Sequence, residues 1–177
     1  MKILKPIFVI LMLALVIFGF YQLVIFPMMK TNMQIVHMID PDTLLVMENG
    51  KLEEVQLIGA DAPELTGEYK DRQCFDFQAR RLAAVRYFSG SRDLTLSTDD
   101  SLGDTDVYGR KLRYVTLADG TLYNQELIRD GLAKESDPQN KNYSKKEGFL
   151  KAQQEAQQNS AGIWNKQTCD GRYGYLP

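Results

Sequence analysis

The feature that most constrains this chain is an apolar stretch at its N-terminus. Residues Pro6 to Met29 carry no formal charge, and as an α-helix these 24 residues would extend about 36 Å. The hydrocarbon core of a bilayer is about 30 Å thick, so the stretch is long enough to span it. A helix that is apolar on every side cannot be covered by the rest of so short a chain. The sequence therefore predicts a membrane segment here rather than part of a globular core.

The flanks of this stretch predict its orientation and processing. Lys2 and Lys5 precede it and Lys30 alone follows closely, so the positive-inside rule leaves the N-terminus in the cytoplasm. The stretch is longer than the apolar region of a typical cleaved signal, and no small-x-small cleavage site follows it. We interpret residues 1–30 as an uncleaved, single-pass signal anchor in the cytoplasmic membrane and residues 31–177 as an extracytoplasmic domain. Cleavage of the leader, with secretion of the domain, is the alternative.

Charge and residue counts limit the chemistry of that domain. Without the three leader lysines the chain keeps 18 of its 21 Lys and Arg against 23 Asp and Glu, a formal charge of about −5. This balance argues against nonspecific coating of nucleic acid, which needs clustered basic residues. One histidine and two cysteines are too few for a zinc site with four Cys or His ligands. The sequence also lacks the HExxH motif of metalloproteases and the P-loop of NTPases.

The two cysteines are candidates for a disulfide. An extracytoplasmic domain meets oxidising conditions, and Cys74 and Cys169 are far apart in the sequence. Closing so long a loop would stabilise the fold by about 4–5 kcal/mol in the chain-entropy estimate. Two unpaired, partly buried thiols are the alternative. Neither interpretation makes either cysteine catalytic.

Five segments of the domain have the alternating pattern of β-strands. They read MQIVHMI, TLLVM, KLEEVQLIG, RDLTLST and KLRYVTL. Asp40-Pro41-Asp42 supplies turn chemistry before the second strand, and Asn49-Gly50 is a hairpin signal before the third. The first three strands are therefore predicted to form an antiparallel meander.

Three helices are predicted around these strands. They run from Asp76 to Phe88, from Leu122 to about Asp130 with Gly131 as C′ residue, and from Ser144, through a capping box with Glu147, to a stop at Gly162. The first helix lies between the third and fourth strands, which is typical of an OB-type Greek-key barrel. The predicted fold is mainly β with helices (α+β): a five-stranded barrel with about three helices, preceded by a transmembrane helix.

Two short motifs bring acidic residues to one end of the predicted meander. IDPDT places Asp42 just before the second strand, and LIGADAPE places Asp61 just after the third, with Glu64 close behind. If these strands pair as a hairpin, both carboxylates emerge at the same end. Hard oxygen ligands suit Ca²⁺ or Mg²⁺, and a further carboxylate can orient or deprotonate an attacking water. The spacing alone does not distinguish a metal site from solvated acids in loops.

The order of the motifs adds a family resemblance. IDPDT, LIGADAPE, DVYGR, LYNQELIRDGLAK and AGIW follow one another over roughly residues 33–164. In this order they resemble the staphylococcal nuclease-like (thermonuclease) family. The resemblance implies an OB barrel with three helices and a Ca²⁺-dependent phosphodiesterase that acts on DNA and RNA. Nucleic acid is then the implied partner beside the membrane, and no obligate protein partner is predicted.

The resemblance also implies roles for single residues of this chain. They are Asp42, Asp61 and the carbonyl of Ala62 as metal ligands, Glu64 as general base or water-orienting group, Arg110 as the cation that steadies the phosphate and leaving group, and Tyr108 as a contact of the nucleotide. Asp40 is expected to lie beside the metal ligands without binding the metal itself.

One position departs from the family pattern. Five residues before Asp61 the family carries an arginine, whereas this chain has Gln56. Glutamine can donate a hydrogen bond to a phosphate oxygen, but it brings neither charge nor a bidentate fork. Loss of one preorganised transition-state donor costs other enzymes about 10²–10³ in rate. Three interpretations stay open: a slower nuclease, one rescued by another cation such as Arg72 or Arg113, and a catalytically inactive OB module that binds nucleic acid or a protein partner at the cell envelope.

Three further features have simple structural interpretations. The loop STDDSLGDTD is predicted to be solvated, and an EF-hand is excluded because the twelfth position from Asp104 is Val115 rather than glutamate. His37 is predicted to be a strand histidine satisfied by a neighbouring side chain. Trp164 is predicted to be a packing anchor after the last helix.

Overall fold

A computed structural model of the chain describes residues 12–19, 33–64, 73–137 and 141–172. Residues 12–19 are helical, and the rest of the predicted anchor lies outside the described residues. No helix in this described part has the length and apolar character that crossing a bilayer requires. The membrane anchor of residues 1–30 therefore stays a prediction.

Along residues 33–172 of the described part, five strands form a closed barrel, accompanied by three α-helices and a separate two-stranded ladder. The barrel strands are β1 (Met33–Asp40), β2 (Thr43–Glu48), β3 (Lys51–Leu57), β5 (Asp93–Ser97) and β6 (Lys111–Leu117), and the ladder pairs β4 (Ala60–Asp61) with β7 (Lys134–Glu135). The helices are α1 (Asp76–Phe88), α2 (Tyr123–Arg129) and α3 (Lys146–Gln158), followed by a 3₁₀ turn at Gly162–Trp164. The predicted barrel with about three helices is confirmed.

The barrel closes in the strand order β1-β2-β3-β6-β5. β1, β2 and β3 form the predicted antiparallel meander. Asn49 and Gly50 both adopt positive φ, at 52° and 80°, as a tight two-residue hairpin turn requires. Parallel pairing of β3 with β6 and antiparallel pairing of β1 with β5 then close the barrel. Sequence spacing does not predict this closure, because strand order depends on contacts between distant segments.

Strand alternation sorts side chains between the barrel interior and its outer face. The inward residues of β2 and β3 are completely or almost completely buried, namely Leu44, Val46, Val55 and Leu57. Gln56 lies between two of them and points to the other face of β3, where it is half-buried. The barrel interior is thus apolar, and the polar residues of these strands are left for the site outside it.

The end of α2 shows why glycine is needed there. Gly131 has φ +67°, as predicted for a C′ residue. A Cβ atom at this position would collide with the backbone of Ala161, because the loop after α3 passes directly over it. Gly131 therefore ends the helix and also lets two loops approach closely.

The predicted start and end of the last helix are wrong. α3 begins at Lys146 and makes no side-chain capping bond. The Ser144 amide and hydroxyl instead donate to Oδ2 of Asp99 at 2.7 and 2.6 Å, so the capping box with Glu147 does not form. Asp99, brought in by the tertiary structure, thus accepts the Ser144 N–H that Glu147 would accept in a capping box. The helix ends at Gln158, before the predicted stop at Gly162.

The same aspartate corrects the prediction of a solvated acidic loop. Asp99 is only 6% exposed, and it accepts further hydrogen bonds from Ser101 and from the hydroxyl of Tyr114. The segment before α3 and the barrel both supply donors. Hydrogen bonds therefore hold this end of the loop to the rest of the domain, and it is not solvated.

Three predictions about features outside the barrel interior are confirmed: the neighbour of His37, the disulfide and the packing of Trp164. The ring of His37 lies 3.3 Å from the guanidinium of Arg80, measured between Nε2 and Nη2. Cys74 and Cys169 form a disulfide between residues 95 positions apart. Trp164 packs against the segment that carries Cys169, where Gly171 lies close to its ring. The C-terminal segment is therefore attached to the start of α1.

Candidate active site

Asp42 is the buried centre of the predicted acidic site. It lies in the turn between β1 and β2 and is 5% exposed. Its Oδ2 accepts the Ala62 N–H at 2.9 Å, its Oδ1 accepts the Thr43 hydroxyl at 3.2 Å, and the side-chain amide of Gln56 donates a third hydrogen bond. Its backbone carbonyl accepts the Leu57 N–H at 2.8 Å, which fixes the turn to the end of β3.

The surroundings of Asp42 disfavour its charged form. Burial raises the pKa of Asp42 to about 7 because it desolvates the carboxylate, and the Ala62 N–H offsets only part of this. The nearby carboxylates of Asp61 and Asp40 raise the pKa further. A cation placed among these oxygens would relieve both the repulsion and the cost of burial. The donor set therefore fits a hard divalent cation such as Ca²⁺.

Asp61 is the second predicted ligand, and it lies in β4 with its side chain exposed. Desolvation and the neighbouring carboxylate of Glu64 raise the pKa of Asp61, whereas Lys134, directly opposite on β7, lowers it. Glu64 is itself exposed, and its N–H donates to the side-chain oxygen of Gln73 at 3.0 Å. The predicted ligand Asp61 and the predicted base Glu64 therefore share one acidic surface, below which Asp42 is buried.

The chain offers few protein ligands for a metal at this place. Among the described residues there is no group of three or more His, Cys, Asp or Glu side chains arranged to hold an ion. A metal at Asp42 and Asp61 would therefore need a backbone carbonyl, such as the predicted one of Ala62, together with water or substrate oxygens. Ca²⁺ and Mg²⁺ both accept such mixed oxygen ligands.

Arg110 is held by the turn that precedes β6. Its Nε donates to Oδ2 of Asp106 at 2.7 Å, and the backbone N–H groups of Tyr108 and Arg110 donate to Oδ1 at 2.9 Å. Although burial raises it, these bonds together lower the pKa of Asp106, so the carboxylate stays charged beside the guanidinium. The Arg110 guanidinium lies 5.4 Å from the centre of the Tyr108 ring. The DVYGR motif is thus a turn that presents one cation and one aromatic ring.

Thr43 connects the acidic residues to this turn. Its hydroxyl donates to Oε1 of Gln56 at 2.8 Å and accepts a long hydrogen bond from Nη1 of Arg110 at 3.4 Å. Sequence reasoning did not assign Thr43 a role, although it is the last residue of the IDPDT motif. Its position beside Asp42 in that motif is the signal that could have pointed to it.

A cavity of about 440 Å³ opens over these groups. Its lining includes the predicted residues Gln56, Asp61, Tyr108 and Arg110. Tyr108 is 81% exposed and forms part of the rim. The structure thus brings residues of two separate motifs to one opening, whereas the predicted residues Asp42, Ala62 and Glu64 do not line it. A larger cavity of about 710 Å³ lies beside Asp99, whose carboxylate is already saturated with hydrogen-bond donors.

Of the two cations considered as substitutes for the missing arginine, Arg113 does not line this cavity. Arg113 forms an ion pair with Asp104 at 2.7 Å and also donates to the backbone carbonyls of Asp104 and Leu112. Its guanidinium is thus bound to the loop before β6. Arg72 lies outside the described residues.

Comparisons with known proteins identify relatives of this chain. The family model described as "Staphylococcal nuclease homologue" matches residues 54–166. The chain is 29% identical to a thermonuclease of Staphylococcus hyicus over 137 residues, which cover 75% of each protein. It is 33% identical to a thermonuclease of Staphylococcus intermedius over 129 residues, 72% of this chain and 73% of the relative. It is also 30% identical to endonuclease YncB of Bacillus subtilis over 135 residues, 76% of this chain and 62% of that protein.

Proposed function

The chain belongs to the family of staphylococcal nuclease homologues, and from this membership and the geometry of the site we propose that it is a Ca²⁺-dependent nuclease that hydrolyses DNA or RNA outside the cytoplasm. The similarity to thermonucleases and to an endonuclease supports the reaction class. The observation that carries the proposal is the surroundings of Asp42. This buried aspartate lies among other carboxylates, and one hydroxyl, that of Thr43, connects it to Arg110.

Asp42 and Asp61, with the carbonyl of Ala62, are the proposed holders of the cation. When bound there, Ca²⁺ supplies positive charge that polarises a phosphoryl oxygen and offsets the charge that develops on the phosphate. Asp42 is fixed for this role, because the Ala62 N–H and the Thr43 hydroxyl hold its two oxygens. The Asp42 side chain is therefore already ordered before a ligand binds, and binding does not have to fix its orientation.

Glu64 is the proposed general base. Its side chain is exposed beside Asp61, and its backbone is fixed by the bond to Gln73. From there its carboxylate can accept the proton of a water whose oxygen attacks the phosphorus atom. The bond from phosphorus to the leaving oxygen then breaks on the opposite side, and a preorganised donor stabilises the developing charge.

Arg110 is the proposed donor to the phosphate, and Tyr108 the proposed contact of a base. The bonds to Asp106 use the Nε and the backbone of Arg110, and the long bond to Thr43 uses Nη1, so Nη2 is the terminal nitrogen proposed to reach a phosphate in the cavity. The exposed ring of Tyr108 offers a surface on which a base can stack.

Gln56 contributes differently from the arginine of the family pattern. Its oxygen accepts from Thr43 and its amide donates to Asp42, so both ends of the side chain are used inside the protein. Gln56 thus supports the ligand Asp42 instead of contacting the phosphate. We therefore expect a nuclease that is slower than one with two arginines at the site.

Cleavage assays on the full-length chain in detergent test this proposal. The chain should cut single- and double-stranded DNA or RNA with Ca²⁺ and should be inactive in excess EGTA. Glu64→Gln should lower the rate at least about 10²-fold, the size of a lost general base. Glu54→Gln is the matched control, since Glu54 is an exposed glutamate on β3 outside the cavity lining. Equal activity of the two variants would refute the role of Glu64.

A catalytically inactive module is the second candidate, and the internal bonds of Gln56 are the observation that favours it. In that case the barrel binds nucleic acid or a protein partner at the cell envelope. Binding to nucleic acid without cleavage at any Ca²⁺ concentration, together with no effect of Glu64→Gln, would support this candidate over the nuclease.

The extracytoplasmic location has a separate test. With residues 1–30 as anchor, the full chain should sediment with membranes, and protease added to intact spheroplasts should digest its barrel domain. A chain that lacks residues 1–30 should be found in the soluble fraction. Protection of the domain in intact spheroplasts would contradict the proposed orientation.

A further inference from the structure

We propose that Lys134 is a positioning residue for Asp61, and that residues 165–172, attached through the Cys74–Cys169 disulfide, hold Lys134 in place. This inference rests on the proposed function, because Asp61 is one of the two carboxylates assigned to the metal. It adds a residue and a segment that none of the recognised motifs assigns to the site.

Lys134 and Asp61 face each other across a ladder of only two residue pairs. β4 pairs with β7 so that Asp61 lies directly opposite Lys134 and Ala60 opposite Glu135. Side chains that are directly opposite in an antiparallel pair share one face, with Cβ atoms about 4.5–5.5 Å apart. Each of the two charges stabilises the charged form of the other. The ammonium group thus limits where the Asp61 carboxylate can point.

The ammonium group of Lys134 is itself held by the C-terminal segment. Its Nζ donates to the carbonyl of Gly171 at 2.6 Å and lies 5.4 Å from the centre of the Trp164 ring. Lys134 is half-buried, so these contacts replace part of its hydration. The position of Lys134 therefore depends on where residues 165–172 run.

Several bonds determine the path of that segment. The Gly171 N–H donates to the Ile163 carbonyl at 2.7 Å, and the Thr168 hydroxyl donates to the Gly162 carbonyl at 2.7 Å. Gly171 has φ +73°, and a Cβ atom there would lie 2.8 Å from the Trp164 ring. The disulfide from Cys169 to Cys74 fastens the segment to the start of α1.

The other end of the disulfide is next to the support of Glu64. Cys74 follows Gln73, whose side-chain oxygen accepts the Glu64 N–H at 3.0 Å. One cross-link therefore joins the residue that holds Glu64 to the segment that holds Lys134. Both acids on the exposed side of the site depend on the same attachment.

Calcium binding tests the role of Lys134 without requiring turnover. Loss of a residue that orients a metal ligand typically costs 10–100-fold in affinity. We expect Lys134→Met to lower the Ca²⁺ affinity of the full-length chain about tenfold in calorimetry, and Lys134→Arg to restore most of it. Arg129→Met is the matched control, because Arg129 is a half-buried, ion-paired cation on α2 away from the site. An unchanged affinity in Lys134→Met would overturn the inference, and so would a higher affinity, since Lys134 would then only repel the metal.

Hydrogen exchange without calcium tests the attachment itself. Lys134→Met and the double variant Cys74→Ser, Cys169→Ser should both increase amide exchange in residues 165–172, whereas Lys134→Arg and Arg129→Met should not. The double variant should also lose Ca²⁺ affinity while its circular dichroism still reports a folded barrel. Unchanged exchange in Lys134→Met would overturn the inference, even if that variant proved inactive.

The two proposals fail in different ways. A wild-type chain that binds Ca²⁺ and cleaves nucleic acid, with Lys134→Met indistinguishable from Arg129→Met, would overturn only the role of Lys134. A wild-type chain without Ca²⁺ binding and without cleavage would overturn the proposed function, and the role at Asp61 would fall with it.

Discussion

Asp42 and Asp99 are the same residue type at nearly the same burial, with 5% and 6% of their surfaces exposed. Asp42 lies in the β1–β2 turn and Asp99 in the loop between β5 and β6. Burial raises the pKa of Asp42 to about 7. Burial also acts on Asp99, but bonds from Ser101, Ser144 and Tyr114 outweigh it and hold the pKa of that carboxyl well below its usual range.

The difference lies in what surrounds each carboxylate. Asp99 accepts hydrogen bonds from five donors, which belong to Ser101, Tyr114 and Ser144. Asp42 accepts from three donors and has two further carboxylates as neighbours. A buried charge that the protein itself neutralises serves the fold, whereas one left under-neutralised favours an external cation. The comparison marks Asp99 as a structural aspartate and supports the proposed role of Asp42 without reference to any relative.

The largest expected effect concerns catalysis at Asp42. Asp42→Asn should reduce the rate of Ca²⁺-dependent cleavage at least about 10³-fold, or about 4 kcal/mol, since a neutral amide is a poor ligand for the metal that stabilises the transition state. Because a raised pKa marks a charge that the fold tolerates poorly, the same variant should be no less stable than wild type in EGTA. Cleavage rates and urea unfolding provide the two measurements. If Asp42→Asn lost as much stability as a variant of Asp99, the proposed difference between the two residues would be wrong.

The next effect concerns the stability supplied by Asp99. Asp99→Ala should lower the free energy of unfolding by about 3 kcal/mol, because it removes the charged acceptor of five hydrogen bonds, one of them from the buried Tyr114 hydroxyl. The exposed neighbour provides the control, and Asp100→Ala should change stability by less than about 0.5 kcal/mol. Urea denaturation measures both. If the two variants lost equal stability, the bonds to Asp99 would contribute little.

The two aspartates should also respond to pH with opposite sign. The folded pKa of Asp42 is raised above the unfolded value of about 4, so its protonated form favours folding, and stability falls as pH rises from about 4 to 7. The folded pKa of Asp99 is lowered, so its contribution is present above about pH 4 and is lost as pH falls below that value. We expect the loss due to Asp42 to reach about 4 kcal/mol in EGTA, because each pH unit between the two pKa values is worth about 1.4 kcal/mol. Urea unfolding at several pH values measures it.

Two controls accompany the pH experiment. Asp42→Asn should remove the decline between pH 4 and 7, and saturating Ca²⁺ at pH 7 should reverse it in the wild type, because ligand binding stabilises the folded state. A decline that persists in Asp42→Asn would mean that another group is responsible.

The smallest expected effect is that of Gln56→Arg, a substitution that makes the surroundings of Asp42 more like those of Asp99. Gln56→Arg replaces a neutral donor by a cation beside the Asp42 carboxylate and supplies a donor for the phosphate. We expect Ca²⁺-dependent cleavage to rise at least about tenfold, or about 1.4 kcal/mol, which is less than the usual value of one transition-state donor. Steady-state rates on DNA measure the change. No gain in rate would indicate that Arg110 alone, or no residue, handles the phosphate charge.

Local patterns predicted those parts of the molecule that local physics decides. The Asn49-Gly50 turn, the bounds of α1 and the C′ glycine of α2 follow from backbone preferences over a few residues, and the structure agrees with each. The Ser144 capping box is predicted from a local pattern too, but it does not form, because a distant residue decides the outcome. Its competitor Asp99 lies 45 positions earlier in the chain, so no local pattern contains it.

The residues of the candidate site show the same difference between what local patterns predict and what distant contacts decide. The motifs around Asp42, Asp61 and Arg110 are each short enough to recognise, and their order indicates the family. Thr43 and Lys134 are the last residues of two recognised motifs, but no motif shows the contacts that they make across the fold with Gln56 and with Asp61.

The sequence by itself determined the strands, the helices and the identity of the acidic, basic and aromatic groups at the site, because these depend on periodicity and on residue chemistry. The tertiary structure alone decided how the barrel closes, that Gln56 turns its amide toward Asp42, and which buried aspartate is neutralised. These outcomes depend on the burial and hydrogen bonding of groups far apart in the chain. Two aspartates that look alike in the sequence differ because burial desolvates Asp42 with few donors and with acids nearby, whereas folding surrounds Asp99 with donors that outweigh its desolvation.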